Sequence, residues 1–186
     1  MNGRVIAITG AASGIGLATA HLLASRNATL SLADVNSAAL EKAERELKQK
    51  YPAVDILPYV LDVRNEEAVQ KWIETTVNVY GRLDGAANLA GVIGKSIGVS
   101  GIDHMDVDEW DFIMSVNLRG VMLCLKHQLR HIGDNGSIVN ASSIAGVVGM
   151  PMNAAYTASK HGVVGLTRSA AKEVGKRGVR VNAICP

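Results

Sequence analysis

Short runs of apolar and β-branched residues alternate with longer helical patterns along the whole of this 186-residue chain. The apolar runs predict strands at 4–9, 29–33, 55–61, 85–89, 137–141 and 180–184. The patterns between them predict helices at 15–25, 37–50, 66–79, 107–131 and 154–176. Because parallel strands are joined by right-handed helical crossovers, this alternation predicts an α/β fold, a doubly wound parallel sheet with helices on both faces.

Length and composition predict a single domain over residues 1–186, with 48% hydrophobic residues to build its core. The net charge is +2 and the charges are interspersed, so no nucleic-acid surface is predicted. No apolar stretch reaches the roughly 18 residues that predict a membrane span. The first residues enter a strand pattern without a signal-peptide layout, and two cysteines make no disulfide framework. We therefore expect a cytoplasmic protein.

A glycine-rich turn, Thr9-Gly-Ala-Ala-Ser-Gly-Ile-Gly16, joins the first predicted strand to the first predicted helix. Gly10 would permit the tight turn, Gly14 would let the backbone approach a pyrophosphate, and Gly16 would let helix and strand pack closely. The N–H groups at the helix N-terminus would then face the phosphates. In this position the turn favours a dinucleotide cofactor over an ordinary connection between strand and helix.

Asp34 ends the second predicted strand, 18 residues after the last glycine of that turn. A carboxylate at this position accepts hydrogen bonds from the adenosine ribose hydroxyls and repels a 2′-phosphate. Its alternative role, capping the next helix, suits Asn36 or Ser37 better. Neither Val35 nor Ser13 supplies the cation that a 2′-phosphate needs. The sequence therefore predicts NAD rather than NADP as the cofactor.

Tyr156 and Lys160 are four residues apart in a predicted helix, so their side chains share one face. Alcohol oxidation by hydride transfer requires a base for the hydroxyl proton, and a phenol serves at neutral pH only beside a cation. Lys160 would supply that charge. Ser142 and Ser143 precede the pair, and because successive strand residues point to opposite faces, only one of them is expected to aim at Tyr156.

Together these motifs resemble the short-chain dehydrogenase/reductase family in its single-domain, NAD-dependent type, along the whole chain. Residues 9–16 have the family's TGxxxGxG spacing, Asn88-Leu-Ala-Gly91 resembles its Asn-Asn-Ala-Gly, and Ser143 lies 13 positions before Tyr156. The resemblance implies a Rossmann fold with strand order 3-2-1-4-5-6, followed in the family by a seventh strand. The chain ends at Pro186, so we expect a domain truncated before its substrate lid and seventh strand, which would bind NAD weakly and aggregate through its sixth strand.

The resemblance also implies a site. Its catalytic residues would be Asn117, Ser143, Tyr156 and Lys160, with Asn117 holding a water that links Lys160 to solvent and Lys160 also binding the nicotinamide ribose. The residues expected to contact the cofactor are Gly10, Ser13, Gly14, Ile15, Gly16, Asp34, Asp62, Val63, Asn88, Ala90, Gly91, Tyr156, Lys160 and Pro186.

The function implied is hydride transfer between NAD and a secondary alcohol or ketone. A hydrophobic substrate is favoured by the apolar residues near the predicted site, Val92, Ile93, Ile144, Val147, Val148 and Met150. The alternative is a nucleotide-binding regulatory or scaffold protein of the same fold with little turnover.

Two weaker patterns lie on predicted helices. Cys124, His127 and His131 have a spacing that a metal site can use, but a partly buried thiol with two polar-face imidazoles is the simpler interpretation, and we predict no metal. The small residues Ala158, Gly162, Gly165 and Ser169 form a stripe that serves either packing on the sheet or contact between subunits. The family resemblance favours subunit contact, so we expect a homodimer or homotetramer.

Overall fold

A computed structural model describes all residues, 1–186, and confirms the doubly wound parallel sheet. The strand order is 3-2-1-4-5-6, with every neighbouring pair parallel. The strands are β1 (Val5–Thr9), β2 (Thr29–Asp34), β3 (Ile56–Val60), β4 (Leu83–Asn88), β5 (Ile132–Ala141) and β6 (Arg180–Ile184). Because the order reverses between β1 and β4, the connections after these two strands diverge and leave a crevice at the carboxyl edge.

The chain forms six α-helices, five of which pack on the sheet and bury an apolar cluster on each face. They are α1 (Gly14–Ala24), α2 (Ser37–Lys50), α3 (Glu66–Tyr80), α4 (Val107–Met114), α5 (Gly120–His131) and α6 (Ala154–Val174). Helices α1 and α2 pack on one face, and α3, α5 and α6 on the other. None of the six combines the length and the apolar composition that crossing a bilayer requires.

The predicted helix 107–131 is not uniform. A π-helical turn, Ser115–Arg119, separates α4 from α5 and buries Asn117 completely. Such a turn inserts one residue into the helical repeat, and the spacing of apolar residues did not reveal it.

Strands β4 and β5 begin earlier than predicted, at Leu83 and Ile132. These two residues pair with each other, the register then shifts, and regular pairing resumes between Gly85 and Ser137. The residues between, with two glycines and Asn135 at a φ of 61°, have no strand-like pattern, which is why the sequence placed the start of β5 at 137.

Candidate active site

A cleft of about 390 Å³ opens at the carboxyl edge of the sheet, where the strand order reverses. Ten of the fourteen residues expected to contact a cofactor line this cleft: Gly10, Ser13, Gly14, Ile15, Gly16, Asp34, Asp62, Val63, Ala90 and Gly91. The other four, Asn88, Tyr156, Lys160 and Pro186, lie outside its walls.

The glycine-rich turn is shaped by close backbone contacts. A Cβ on Gly10 would lie 2.9 Å from Cα of Ala90, and one on Gly16 would overlap the carbonyl oxygen of Gly10. By contrast, Gly14 has a φ of +49° and open space beside it. Ser13 makes no capping hydrogen bond to α1, so no capping side chain takes up the N–H groups at that helix N-terminus. This combination suits a phosphate group.

Asp34 lies at the end of β2, on the wall of the cleft. Its two carboxylate oxygens accept hydrogen bonds from the backbone N–H groups of Ala12 and Asn36, each at 3.0 Å. Each oxygen keeps a further lone pair for a ligand hydroxyl. Asn36, as the sequence predicts, caps α2 by accepting from the N–H of Ala39 at 3.0 Å.

On a second wall of the cleft, Asp62, which the sequence predicts, lies beside Arg64 and Phe112, which it does not. The Arg64 guanidinium donates to Asp62 at 2.6 and 2.9 Å and lies 5.3 Å from the centre of the Phe112 ring. The side-chain hydrogen bond from Arg64 lowers the pKa of Asp62, which keeps the carboxylate ionised. Only the fold brings Phe112, on α4, to the segment after β3.

The side chain of Asn88 does not face the cleft. Its amide exchanges hydrogen bonds of 3.0 and 2.8 Å with Gln128 and donates to Asn140 at 2.8 Å, all within the core. Asn140 in turn donates to Thr167 on α6 at 2.9 Å. The Asn88 amide is therefore occupied in a buried network that joins β4, β5, α5 and α6, which leaves it unavailable to a cofactor.

Tyr156 and Lys160 lie on one face of α6, with the Lys160 Nζ 5.5 Å from the centre of the Tyr156 ring. Lys160 is 4% exposed, and its ammonium donates to the carbonyl of Ala141 at 2.8 Å, at the end of β5. Burial lowers the pKa of Lys160 to about 8. The Lys160 ammonium therefore loses its proton at a pH only about one unit above neutral.

Asn117 is held against the connection that follows β4. Its side chain accepts from the N–H of Val92 at 2.8 Å and donates to the Val92 carbonyl at 2.9 Å. A Cβ on Gly91 would lie 3.3 Å from Asn117 Oδ1 and 3.5 Å from Lys160 Nζ. The structure thus brings Asn117 and Lys160 together at Gly91, and the water that Asn117 is expected to hold between Lys160 and solvent stays a prediction.

The two adjacent serines have different environments. Ser142 is buried and donates to the Lys160 carbonyl at 2.9 Å. Ser143 is half-buried and makes two longer contacts, accepting from Ala145 N–H and donating to the Pro186 carbonyl, each at 3.3 Å. Only Ser143 therefore has a hydroxyl that is free to exchange partners, and Pro186 contacts this serine rather than the cleft.

The apolar residues expected near a substrate lie largely on the surface. Val92 packs against the core, whereas Ile93 is 65% exposed and the other four are 42–51% exposed: Ile144, Val147, Val148 and Met150.

The Cys124 and His127 side chains are both buried, which corrects the expectation that His127 lies on a polar face. Burial raises the pKa of the Cys124 thiol to about 12, so it stays protonated at neutral pH. His127 Nε2 lies 3.8 Å from Glu66. No group of three or more His, Cys, Asp or Glu side chains is arranged to hold a metal ion.

The stripe of small residues on α6 is packed against its neighbours at one end and exposed at the other. Gly162 is packed, since a Cβ there would lie 2.7 Å from the Leu118 side chain, while Gly165 and Ser169 are exposed. Beside Gly162 an open groove of about 630 Å³ runs between α4, α5 and α6, with Met122 and Leu166 among its walls.

Known proteins resemble this chain in sequence along nearly its whole length. The family model described as enoyl-(acyl carrier protein) reductase matches residues 10–186. The short-chain dehydrogenase/reductase aba4 of Botryotinia fuckeliana is 55% identical over 183 residues, which cover 98% of this chain and 70% of that protein.

Two solved structures agree with the fold over the whole chain. The crystal structure of levodione reductase has a TM-score of 0.94 and 40% identity, with 72% of that chain covered. NAD⁺-bound xylitol dehydrogenase has a TM-score of 0.94 and 38% identity, with 70% covered. With its glycine-rich cleft beside a buried Lys160, this chain belongs to the short-chain dehydrogenase/reductase family.

Proposed function

We propose that this chain transfers a hydride between NAD(H) and a secondary alcohol or ketone. The observation that carries the proposal is the position of Gly91. It lines the cleft, and its Cβ position lies 3.5 Å from Lys160 Nζ, one helical turn from Tyr156. The cleft and the proposed proton-transfer residues therefore meet at Gly91, where the reacting end of a bound dinucleotide would lie.

The residues of the cleft fit NAD. Open space beside Gly14 and the free N–H groups of α1 suit the pyrophosphate, and Asp34 suits the adenosine ribose hydroxyls. No cation follows Asp34, because the next residue is an exposed Val35. The NAD⁺-bound state of the similar xylitol dehydrogenase supports the same choice.

When bound, NAD⁺ would supply the hydride acceptor for oxidation, and NADH would supply the hydride donor for reduction. In oxidation, Tyr156 takes the hydroxyl proton of the substrate as general base, and in reduction it returns that proton to the carbonyl oxygen. Lys160 stabilises the phenolate by its positive charge and binds the nicotinamide ribose. Ser143 donates a hydrogen bond to the substrate oxygen, which carries more negative charge in the transition state than in the ketone. Asn117 holds Val92 and with it the connection that follows β4.

The substrate we propose is a small hydrophobic molecule. The exposed apolar side chains that follow Ser143 offer no charged partner for an ionic substrate. The similar levodione reductase, whose name specifies a reduction, supports a carbonyl compound as one side of the reaction.

We further propose a cytoplasmic homodimer or homotetramer of this single domain, with the α4–α6 groove as a contact between subunits. The groove is open and partly apolar, and Gly165 and Ser169 continue it along α6 with little side-chain bulk.

The test is a panel of hydrophobic secondary alcohols and ketones, assayed with NAD(H) and NADP(H) by the absorbance of the reduced cofactor. NAD-dependent turnover that Tyr156→Phe removes supports the proposal. Tight NAD binding without turnover on any member of the panel supports instead a regulatory or scaffold protein of the same fold.

A further inference from the structure

The connection between β4 and α4, residues 89–106, is here called the β4–α4 loop. It begins beside the catalytic residues, because Gly91 lies against Asn117 and Lys160. Farther on it carries three strongly exposed apolar side chains, Ile93 at 65%, Val99 at 74% and Ile102 at 76%. An exposed apolar loop at the mouth of a site needs a specific contact to hold one shape.

That contact comes from Glu109, in the first turns of α4. Its carboxylate accepts hydrogen bonds from the backbone N–H groups of two consecutive loop residues, Lys95 and Ser96, the second at 3.2 Å. Hydrogen bonding from Ser96 lowers the pKa of Glu109. The group is therefore ionised at neutral pH, and hydrogen bonds to a charged acceptor are the strong ones.

Gly94 makes the contact possible. A Cβ at this position would lie 2.7 Å from the Glu109 carboxylate oxygen and 2.9 Å from Cδ1 of Ile113. Its φ is not positive, so alanine is compatible with the backbone there and would displace the carboxylate instead.

The loop is held at a second point, where Gly98 donates to the backbone carbonyl of Met152 at 2.9 Å. Met152 lies between Ser143 and the start of α6, which carries Tyr156. The loop therefore runs from the Lys160 side of the catalytic residues to the segment just before Tyr156. A substrate that reaches Tyr156 would therefore lie beside this loop.

We propose that Glu109 is a positioning residue that sets the substrate preference of this enzyme by holding the β4–α4 loop, without touching substrate or cofactor. The inference rests on the proposed function. Held by Glu109, the loop presents a fixed apolar boundary that favours a bulky hydrophobic ketone. Without Glu109, the substrate itself would have to order the loop on binding, which would lower the affinity for the substrate.

The experiment compares Glu109→Ala and Gly94→Ala with the wild type and with Asp108→Ala as matched control. Asp108 neighbours Glu109 in the first turn of α4 and is exposed, and its carboxylate makes no hydrogen bond to the loop. The first measurement is hydrogen exchange of peptides within 92–100, in the chain without ligand. We expect exchange to rise about tenfold in the two loop variants and to match wild type in the control.

The second measurement is steady-state kinetics with a bulky and a small ketone, together with NADH affinity. We expect KM for the bulky ketone to rise about tenfold, with kcat and NADH affinity within about twofold of wild type. Unchanged loop exchange overturns the role of Glu109. Faster exchange with unchanged KM, or equal losses for both ketones, overturns its role in substrate preference. A wild type that turns over no member of the alcohol and ketone panel refutes the proposed function and the substrate role together, while exchange still reports whether Glu109 holds the loop.

Discussion

The hydroxyl of Ser142 donates a 2.9 Å hydrogen bond to the backbone carbonyl of Lys160. The end of β5 is therefore fixed to α6 at the residue whose ammonium bonds back to Ala141 of the same strand. Strand β5 and helix α6 are therefore joined by two hydrogen bonds at Lys160. Ser143, the residue after Ser142, makes only two contacts of 3.3 Å.

Replacing each serine by alanine distinguishes the structural role proposed for Ser142 from the substrate contact proposed for Ser143. Ser142→Ala should lower the free energy of unfolding by about 1 kcal/mol, because it removes a buried hydrogen bond. Ser143→Ala should leave stability nearly unchanged and lower kcat about 100-fold, as loss of an oxyanion donor does. Urea unfolding and steady-state kinetics of both variants provide the test. The reverse pattern would mean that Ser142 is the substrate contact.

Tyr156→Phe removes only the transferable proton. We expect the fold and NADH affinity to be retained while turnover falls by about 10²–10⁴-fold, the usual contribution of general acid–base catalysis. Fluorescence titration of NADH and cofactor absorbance measure the two quantities. Wild-type rates in this variant would show that another group transfers the proton.

The lowered pKa of Lys160 makes stability depend on pH. Because the pKa is about 8 in the folded chain and 10.5 for a free side chain, the unfolded state binds more protons between these values. The free energy of unfolding of the wild type should therefore rise with pH from about 8 to 10, relative to Lys160→Met, by up to about 1.4 kcal/mol per pH unit. Below pH 8 the difference should be constant.

Urea unfolding from pH 7 to pH 10 measures this free energy for the wild type and Lys160→Met. The control is Lys172→Met, because Lys172 is an exposed lysine on the same helix. A wild-type curve parallel to that of Lys160→Met over the whole range would mean that the buried ammonium does not titrate there.

Asp34→Ala should narrow the preference for NAD over NADP, because it removes the carboxylate that repels a 2′-phosphate. Adding Val35→Arg should raise NADP affinity further, since position 35 is exposed and directly follows the carboxylate. Calorimetric titration with both cofactors gives the ratio. An unchanged ratio in the double variant would place the selectivity elsewhere in the cleft.

Leu166→Glu tests the proposed subunit contact at the α4–α6 groove. A charge there should dissociate the oligomer, because an unpaired carboxylate is costly to bury. Light scattering measures the mass, and Leu22→Glu, an exposed leucine on α1, is the control. If only Leu22→Glu dissociated the oligomer, the contact between subunits would lie instead on the face of the sheet that carries α1.

Much of the fold and of the candidate site follows from local chemistry. Apolar runs of five to seven residues predict the strands, because the central strands β1, β2 and β4 are buried along most of their length. The glycine-rich turn, Asp34 and the Tyr156–Lys160 pair depend on spacings within one strand, turn or helix, so the sequence alone indicates them.

Tertiary structure decided the contacts between distant segments. The Asn88 amide is turned into the core by Gln128, 40 positions away, and Phe112 reaches the cleft only because α4 packs beside the segment after β3. Glu109 holds a loop 13–14 residues before it, at a distance that no helical or strand period marks. Periodicity reports how one segment meets the core, whereas these contacts depend on which segments the folded sheet places side by side.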